Sequence, residues 1–438
     1  MKKPILLTVL FSIILMPFGV IAADYSLNDL YRIALEKSST IEIAKEGLYI
    51  SEQERDMARA VLMPTLSAYG THTRYSDDKI RNGAVVQPEY SNEWGLRLDQ
   101  SFSLSGRELT AYEIAKQGIT KSGFDLKGVK AGYLMDVASS YYDVLNARKT
   151  AEIAKANVER LTGHRDAAGK RLAAGAVTKT TLLRAEAELA GSRADLIRVE
   201  NDLRLARTIL SELAGIEADF GLTEEGEAAG EAVMMEGCAI SDLECLKRLA
   251  LDARPELKAL SIEKEIKKGE VDYARGAYWP SLSIEGVYHR DEDEPAAATA
   301  LDEKIYGGIT INFPFFEGGL RRAEVSAARA KARQTEAEMA NLEKDVRIEV
   351  ERNYLNALTT SAVLAQLKAE VEYARDNFSA VTKQFQYGLA DSIDVIDANT
   401  LLVRSERGLA NAGYDNELAI IKLKRTTGTL LRTVADQQ

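Results

Sequence analysis

Apolar residues follow two different periods along this chain. Val350, Ala357, Leu364, Val371, Phe378 and Phe385 recur every seven residues, with Leu367, Ala374 and Val381 three positions later. Val137, Val144, Ala151, Val158 and Leu172 repeat the pattern earlier, interrupted by Arg165, with Ala147, Ala154, Leu161 and Ala168 as its second track. A heptad seam predicts a long helix that needs a partner helix. Elsewhere the period drops to two. Trp94, Leu96, Leu98 and Phe102 alternate with Gly95, Arg97, Asp99 and Ser101. Leu282, Ile284, Gly286 and Tyr288 alternate with Ser283, Glu285, Val287 and His289, and Ile309, Ile311 and Phe313 with Gly308, Thr310 and Asn312. Residues 64–75 follow the pattern more weakly. These segments read as strands of about ten residues, long enough to cross a bilayer when tilted.

Proline punctuates the helical tracts. None lies between Pro88 and Pro255, and none follows Pro314. Because proline costs about 3 kcal/mol inside a helix, both tracts read as long helices. The tracts belong to a duplication. Ala58-Arg59, Pro64, Leu66, Ser67 and Gly70 return as Ala274-Arg275, Pro280, Leu282, Ser283 and Gly286. Val137, Tyr141, Gly175, Ala185 and Ser192 return as Val350, Tyr354, Gly388, Ala398 and Ser405. A single long period means two equivalent halves, not a solenoid. Each half is expected to run as one helix (about 26–61 and 242–278), a strand pair, a helix of nearly 70 residues ending at Gly175 or Gly388, and a returning helix ending near Gly215 or Gly428. At 1.5 Å per residue the long helix reaches roughly 100 Å. The expected layout is a leader at 1–23, a first repeat at 24–222, a connector at 223–245 and a second repeat at 246–432.

The leader places the chain outside the inner membrane. Lys2 and Lys3 precede an apolar run from Ile5 to Met16, and Ala22-Ala23 offers a cleavage site. No later stretch is apolar enough for a transmembrane helix. The strands therefore fit a membrane barrel, apolar outward and polar inward, with Tyr75, Trp94, Tyr278, Trp279, Phe315 and Phe316 as interfacial aromatics. Four strands cannot close a barrel, and lipid forbids an open edge, so two or three copies must share one; a solute-sized lumen favours three.

Charge and reactive residues then narrow the function. A net charge of -11 argues against nucleic acid as a partner. His72, His164 and His289 stand far apart with no metal-ligand spacing. No catalytic constellation or cofactor motif is visible, so an enzyme is not expected. Cys238 and Cys245, the two cysteines of an exported chain, are expected to form a disulfide, with a metal pair as the alternative. Asp291-Glu292-Asp293-Glu294 is expected at a solvated hairpin tip facing outside, with a divalent-cation site linked to surface lipid as the alternative.

The turns Arg171-Leu172-Ala173-Ala174-Gly175 and Gln384-Phe385-Gln386-Tyr387-Gly388, the segment from Asp391 to Ala398 and the sequence from Asn312 to Gly319 resemble the TolC-type outer membrane efflux family, in duplicated order over the whole mature chain. The resemblance implies an α+β membrane protein: a homotrimer with a twelve-stranded barrel, four strands per chain, continued by a periplasmic α-helical coiled-coil tunnel. It implies the exit duct of a tripartite efflux pump or type I secretion system, in which turns around Gly175, Ala176, Gly388 and Leu389 meet a periplasmic adaptor coupled to an inner-membrane pump. The best-known members carry an acidic residue six positions after the first glycine, where this chain has Thr181; some carry Arg where it has Ala390. Asp394 and Asp397 match the family's acidic positions and would ring the narrow end, with closure relying on packing near Phe385 and Tyr387. The competing readings are a passive porin, which needs no long periplasmic helices, and a structural periplasmic coiled coil, which needs no amphipathic strands.

Overall fold

A computed structural model describes residues 24–224, 234–235, 237–297 and 302–436. The expected leader at 1–23 lies outside the described residues, as does part of the connector. The described chain opens with strand β1 (Asp24–Tyr25) and helices α1 (Leu27–Lys37) and α2 (Ser39–Ala60), followed by strands β2 (Thr65–Arg74), β3 (Lys79–Arg81), β4 (Ala84–Gln87) and β5 (Tyr90–Ser103). Helix α3 (Arg107–Ala173) and its return α4 (Lys179–Ala214) complete the first repeat, with β6 (Gly221–Leu222) beyond. After β7 (Met234–Met235) and β8 (Cys238–Ala239) the plan recurs: α5 (Leu243–Ala253), α6 (Pro255–Gly276), β9 (Ser281–Glu294), β10 (Glu303–Asn312), α7 (Leu320–Gln386), α8 (Ser392–Thr426) and a short α9 (Leu430–Asp436).

The long helices α3 and α7 each hold 67 residues. The leading helix of each repeat, expected as one rod, is two. Ser38 takes an extended conformation and its hydroxyl accepts from the Ile41 amide, which starts α2 afresh. In the second repeat Pro255 has no N–H to continue α5, so it opens α6 at the first-turn position where proline is tolerated. These breaks let α1 and α5 fold across the long helices. Leu30, Ala34, Val137, Tyr141 and Leu210 form one core there, and Leu246, Ala250, Val350 and Leu423 occupy the matching positions of a second. Cys238 and Cys245 are joined by a disulfide that ties β8 to α5 beside the second core.

The membrane-type strands form one antiparallel sheet in the order β10-β9-β5-β2. Its register sets all four alternations in phase. Leu66 lies opposite Leu98, Leu98 opposite Gly286, and Gly286 opposite Gly307. Trp94, Leu96, Leu98, Phe102, Leu282, Ile284, Tyr288, Ile305, Ile309 and Ile311 therefore share one face. Ser67, Tyr69, Glu93, Arg97, Asp99, Glu285, His289, Lys304 and Thr310 share the other. From Phe102 to Trp94 the apolar face runs eight residue steps, about 26 Å along the strand, which at a barrel tilt of about 40° is roughly 20 Å of height, most of a bilayer-facing band. The acidic run departs from expectation. Asp291–Glu294 is the end of β9 and pairs with Tyr90–Glu93 of β5, so it is strand and not a loop tip. The outer loop instead carries the hairpin β3–β4, turned through Asn82 and Gly83, both at positive φ.

Candidate functional site

Both long helices end in the same turn. The Gly175 amide donates to Leu172 O and the Ala176 amide to Arg171 O; the Gly388 amide donates to Phe385 O and the Leu389 amide to Gln384 O. These are paired Schellman closures with glycine at positive φ, +72° and +80°. Ala176, Tyr387 and Leu389 stand exposed at the tips, Tyr387 at 81% and Leu389 at 79%.

Phe385 is placed otherwise. Expected near the lumen, it is only 2% exposed within a single chain. Its ring lies 5.0 Å from the His164 ring and under the Arg171 guanidinium at 4.7 Å, while Arg171 Nη1 donates to Phe385 O at 2.5 Å. It fastens α3 to the end of α7 because an aromatic face accepts a guanidinium and a buried carbonyl needs a donor. Just above, His164 Nε2 and Ser392 Oγ share a hydrogen bond of 2.8 Å. Burial pulls the His164 pKa below its ordinary value.

Asp394 and Asp397 are exposed on the first turns of α8. Asp394 also caps its own helix. Its Oδ2 accepts the Asp391 amide at 2.8 Å, as the third residue of a capping box does. At the matching place in the first repeat, the Thr181 hydroxyl meets the Thr178 hydroxyl at 3.3 Å. The first repeat thus offers a neutral helix start where the family's best-known members carry an acidic residue, and Ala390 leaves no arginine to pair with one.

Charge holds the seam between the two hairpins further up. Arg160 donates to Asn399 Oδ1 at 3.1 Å and to Glu406 at 3.3 Å; Asn399 donates to Asn157 at 2.7 Å; Arg407 pairs with Asp195. A groove of about 550 Å³ between α4 and α8 is lined by Glu188, Asp195, Arg404 and Arg407. Sequence reading missed this polar zipper, because its residues lie off the apolar heptad tracks.

Not every face is covered. On α6, Ile266 is 8% exposed, covered from α3; its counterpart on α2, Ile50, is 56% exposed, with Ile43 and Met57 exposed one heptad to either side. On α3, Leu145 is 2% exposed in the cluster that holds Tyr414 and Leu418 of α8; its counterpart on α7, Leu358, is 44% exposed, beside exposed Leu355. The outer edges of β2 and β10 have no strand partner among the described residues. No described helix is long and apolar enough to cross a membrane.

Comparison with known proteins gives this geometry a context. The family model described as outer membrane efflux protein matches residues 30–216 and 246–429. The outer membrane protein TolC of Vibrio cholerae is 26% identical over 85% of this chain and 84% of its own length. The alkaline protease secretion protein AprF of Pseudomonas aeruginosa is 22% identical over 97% of this chain and 89% of its own. Among solved structures, CusC superposes with a TM-score of 0.80 at 17% identity, covering 93% of each chain. The Campylobacter jejuni CmeC outer membrane channel superposes at 0.81 and 16% identity, covering 92% of this chain and 86% of its own.

Proposed function

Because this chain belongs to the outer membrane efflux protein family, we infer that three copies close head to tail into one duct, which an adaptor and an inner-membrane pump load from below. The protein is an outer-membrane exit channel with a large periplasmic helical part. The uncovered faces carry the assembly. Within one chain, α3 of the first repeat packs on α6 and α8 of the second. The duplication gives α7 the same faces, and their equivalents in chain order are α2 and α4 of another copy. An interface of this kind is heterologous and closes only as a ring. The β2 and β10 edges join by the same operation, and three sheets of four strands give twelve, enough for an open lumen. Long helices below the membrane favour a duct over a passive porin, whose barrel needs none.

The relatives' names include polypeptide secretion as well as efflux, and the same duct serves either cargo, since the pump selects it. The exposed tips at Gly175-Ala176 and Gly388-Leu389 are the adaptor's docking points in this reading. Asp394 and Asp397 of three chains form the acidic narrow end.

Cross-linking tests the ring. Leu205 of α4 is the counterpart of Leu418 and is exposed. A Leu358→Cys, Leu205→Cys variant should oxidise into a ladder that ends at three chains. A ladder ending at two, or linkage only within one chain, would reject the proposed ring.

A further inference from the structure

We propose that the polar face of the sheet carries a binding site for a divalent transition-metal ion of the zinc class, made by Glu93, His289 and Asp291. The placement of that face toward the lumen rests on the duct reading; the site itself does not. Glu93 and Asp291 lie directly opposite each other on β5 and β9, and His289 is two residues along the same face. One ligand atom from each lies within 4.8 Å of the others. A tetrahedral zinc ion holds its ligand atoms roughly 3.3 Å apart, so the exposed Glu93 side chain must rotate inward and the His289–Asp291 pair must open from 2.5 Å to admit it.

The surroundings are built for a ligating imidazole. His289 Nε2 meets Asp291 Oδ1 at 2.5 Å, and Nδ1 meets Tyr69 Oη at 2.8 Å. Tyr69 reaches His289 from two strands away because Gly95 lies between them; a Cβ on Gly95 would stand 2.7 Å from Tyr69 Oη. A partner on the second ring nitrogen fixes the orientation of a metal-binding histidine. With Nε2 turned to the ion, Nδ1 would carry the imidazole proton and donate it to Tyr69 Oη. The Glu93 carboxylate forms no hydrogen bond or ion pair among the described residues, so it is free to turn inward. The competitor is Lys304, whose ammonium sits 2.9 Å from Asp291 Oδ2. Two carboxylates against one ammonium leave the cluster with a charge of -1 at neutral pH, which favours a second cation. A nitrogen and two carboxylate oxygens suit zinc, and the incomplete ligand set leaves a position for water.

Calorimetric titration of the untagged full chain in detergent with zinc chloride tests the site. About one ion per chain should bind. His289→Ala should weaken binding at least tenfold, and Tyr69→Phe several-fold. Lys304→Met, which removes the competing cation, should tighten it several-fold, and His72→Ala should change nothing. The absence of zinc binding, or binding that survives both His289→Ala and Glu93→Gln, would overturn the site. Zinc should also lower single-channel conductance in planar bilayers, and Lys304→Met should shift that block to lower concentration. Binding through His289 by a chain that never conducts would keep the site and overturn the duct.

Discussion

His164 is enclosed between α3 and α8 at the tip, with Phe385 against its ring and Ser392 on Nε2. Its folded pKa is lowered by burial. In the unfolded chain a histidine takes up its proton near pH 6.5; folded His164 does so only at lower pH. The tip therefore has its full stability above about pH 6.5 and loses some as pH falls toward the lower folded value. Hydrogen exchange at the ends of α3 and α8, corrected for intrinsic rates, should accelerate between about pH 7.5 and 5.5. His164→Asn, the residue type at the equivalent Asn377, should flatten that response; an unchanged response would place its source elsewhere. The carboxylates of α8 divide their roles. Asp394→Asn keeps an acceptor for the Asp391 amide, whereas Asp394→Ala should remove that half of the capping box and fray the start of α8. Asp394→Asn with Asp397→Asn should weaken cation preference in planar bilayers without locking the channel open, because the Arg171, Arg160 and Arg407 ties remain. Unchanged ion selectivity would put both carboxylates outside the permeation path.

At the scale of elements, α3 and α7 share sequence pattern and length but not surroundings. The heptad seam is buried on both helices, but beside it Leu145 is covered within the chain whereas its counterpart Leu358, with Leu355, is exposed on α7. Leu355→Asp with Leu358→Asp should leave the circular dichroism spectrum helical and shift the protein from trimer to monomer on native mass measurement. Trimers that persist would show that α7 covers itself some other way. Duplication made the repeats legible in the sequence, and the Gly175 and Gly388 turns fell where the heptads stop. The breaks at Ser38 and Pro255 were less visible. Pro255 is a recognised helix starter, yet Ser38 interrupts a run whose apolar spacing continues on both sides, and its cap becomes apparent only in the backbone.

For the whole molecule, the tips lie a full long-helix length, about 100 Å, from the sheet. Changes at the tips are thereby made far from the sheet. Bulky substitutions at Ala176 and Leu389, beside the turns and exposed, should abolish export while trimers still reach the membrane. Normal export in the double variant would leave the turns with a structural part only. The Cys238–Cys245 disulfide sits in neither place. Its closed loop is short, so the stabilisation it supplies is about 2.5 kcal/mol or less.

The sequence alone determined the helices, strands and their doubling, because apolar period and proline or glycine punctuation act locally and independently of distant neighbours. It also determined that one chain is incomplete, since four amphipathic strands cannot close. Tertiary structure decided which matched positions are covered within the chain and which stay exposed, a difference two similar patterns cannot encode. It decided that Phe385 faces inward beneath Arg171, a contact between residues 214 positions apart. It also brought Tyr69, Glu93, His289, Asp291 and Lys304 together, because only strand register aligns side chains from different repeats on one face.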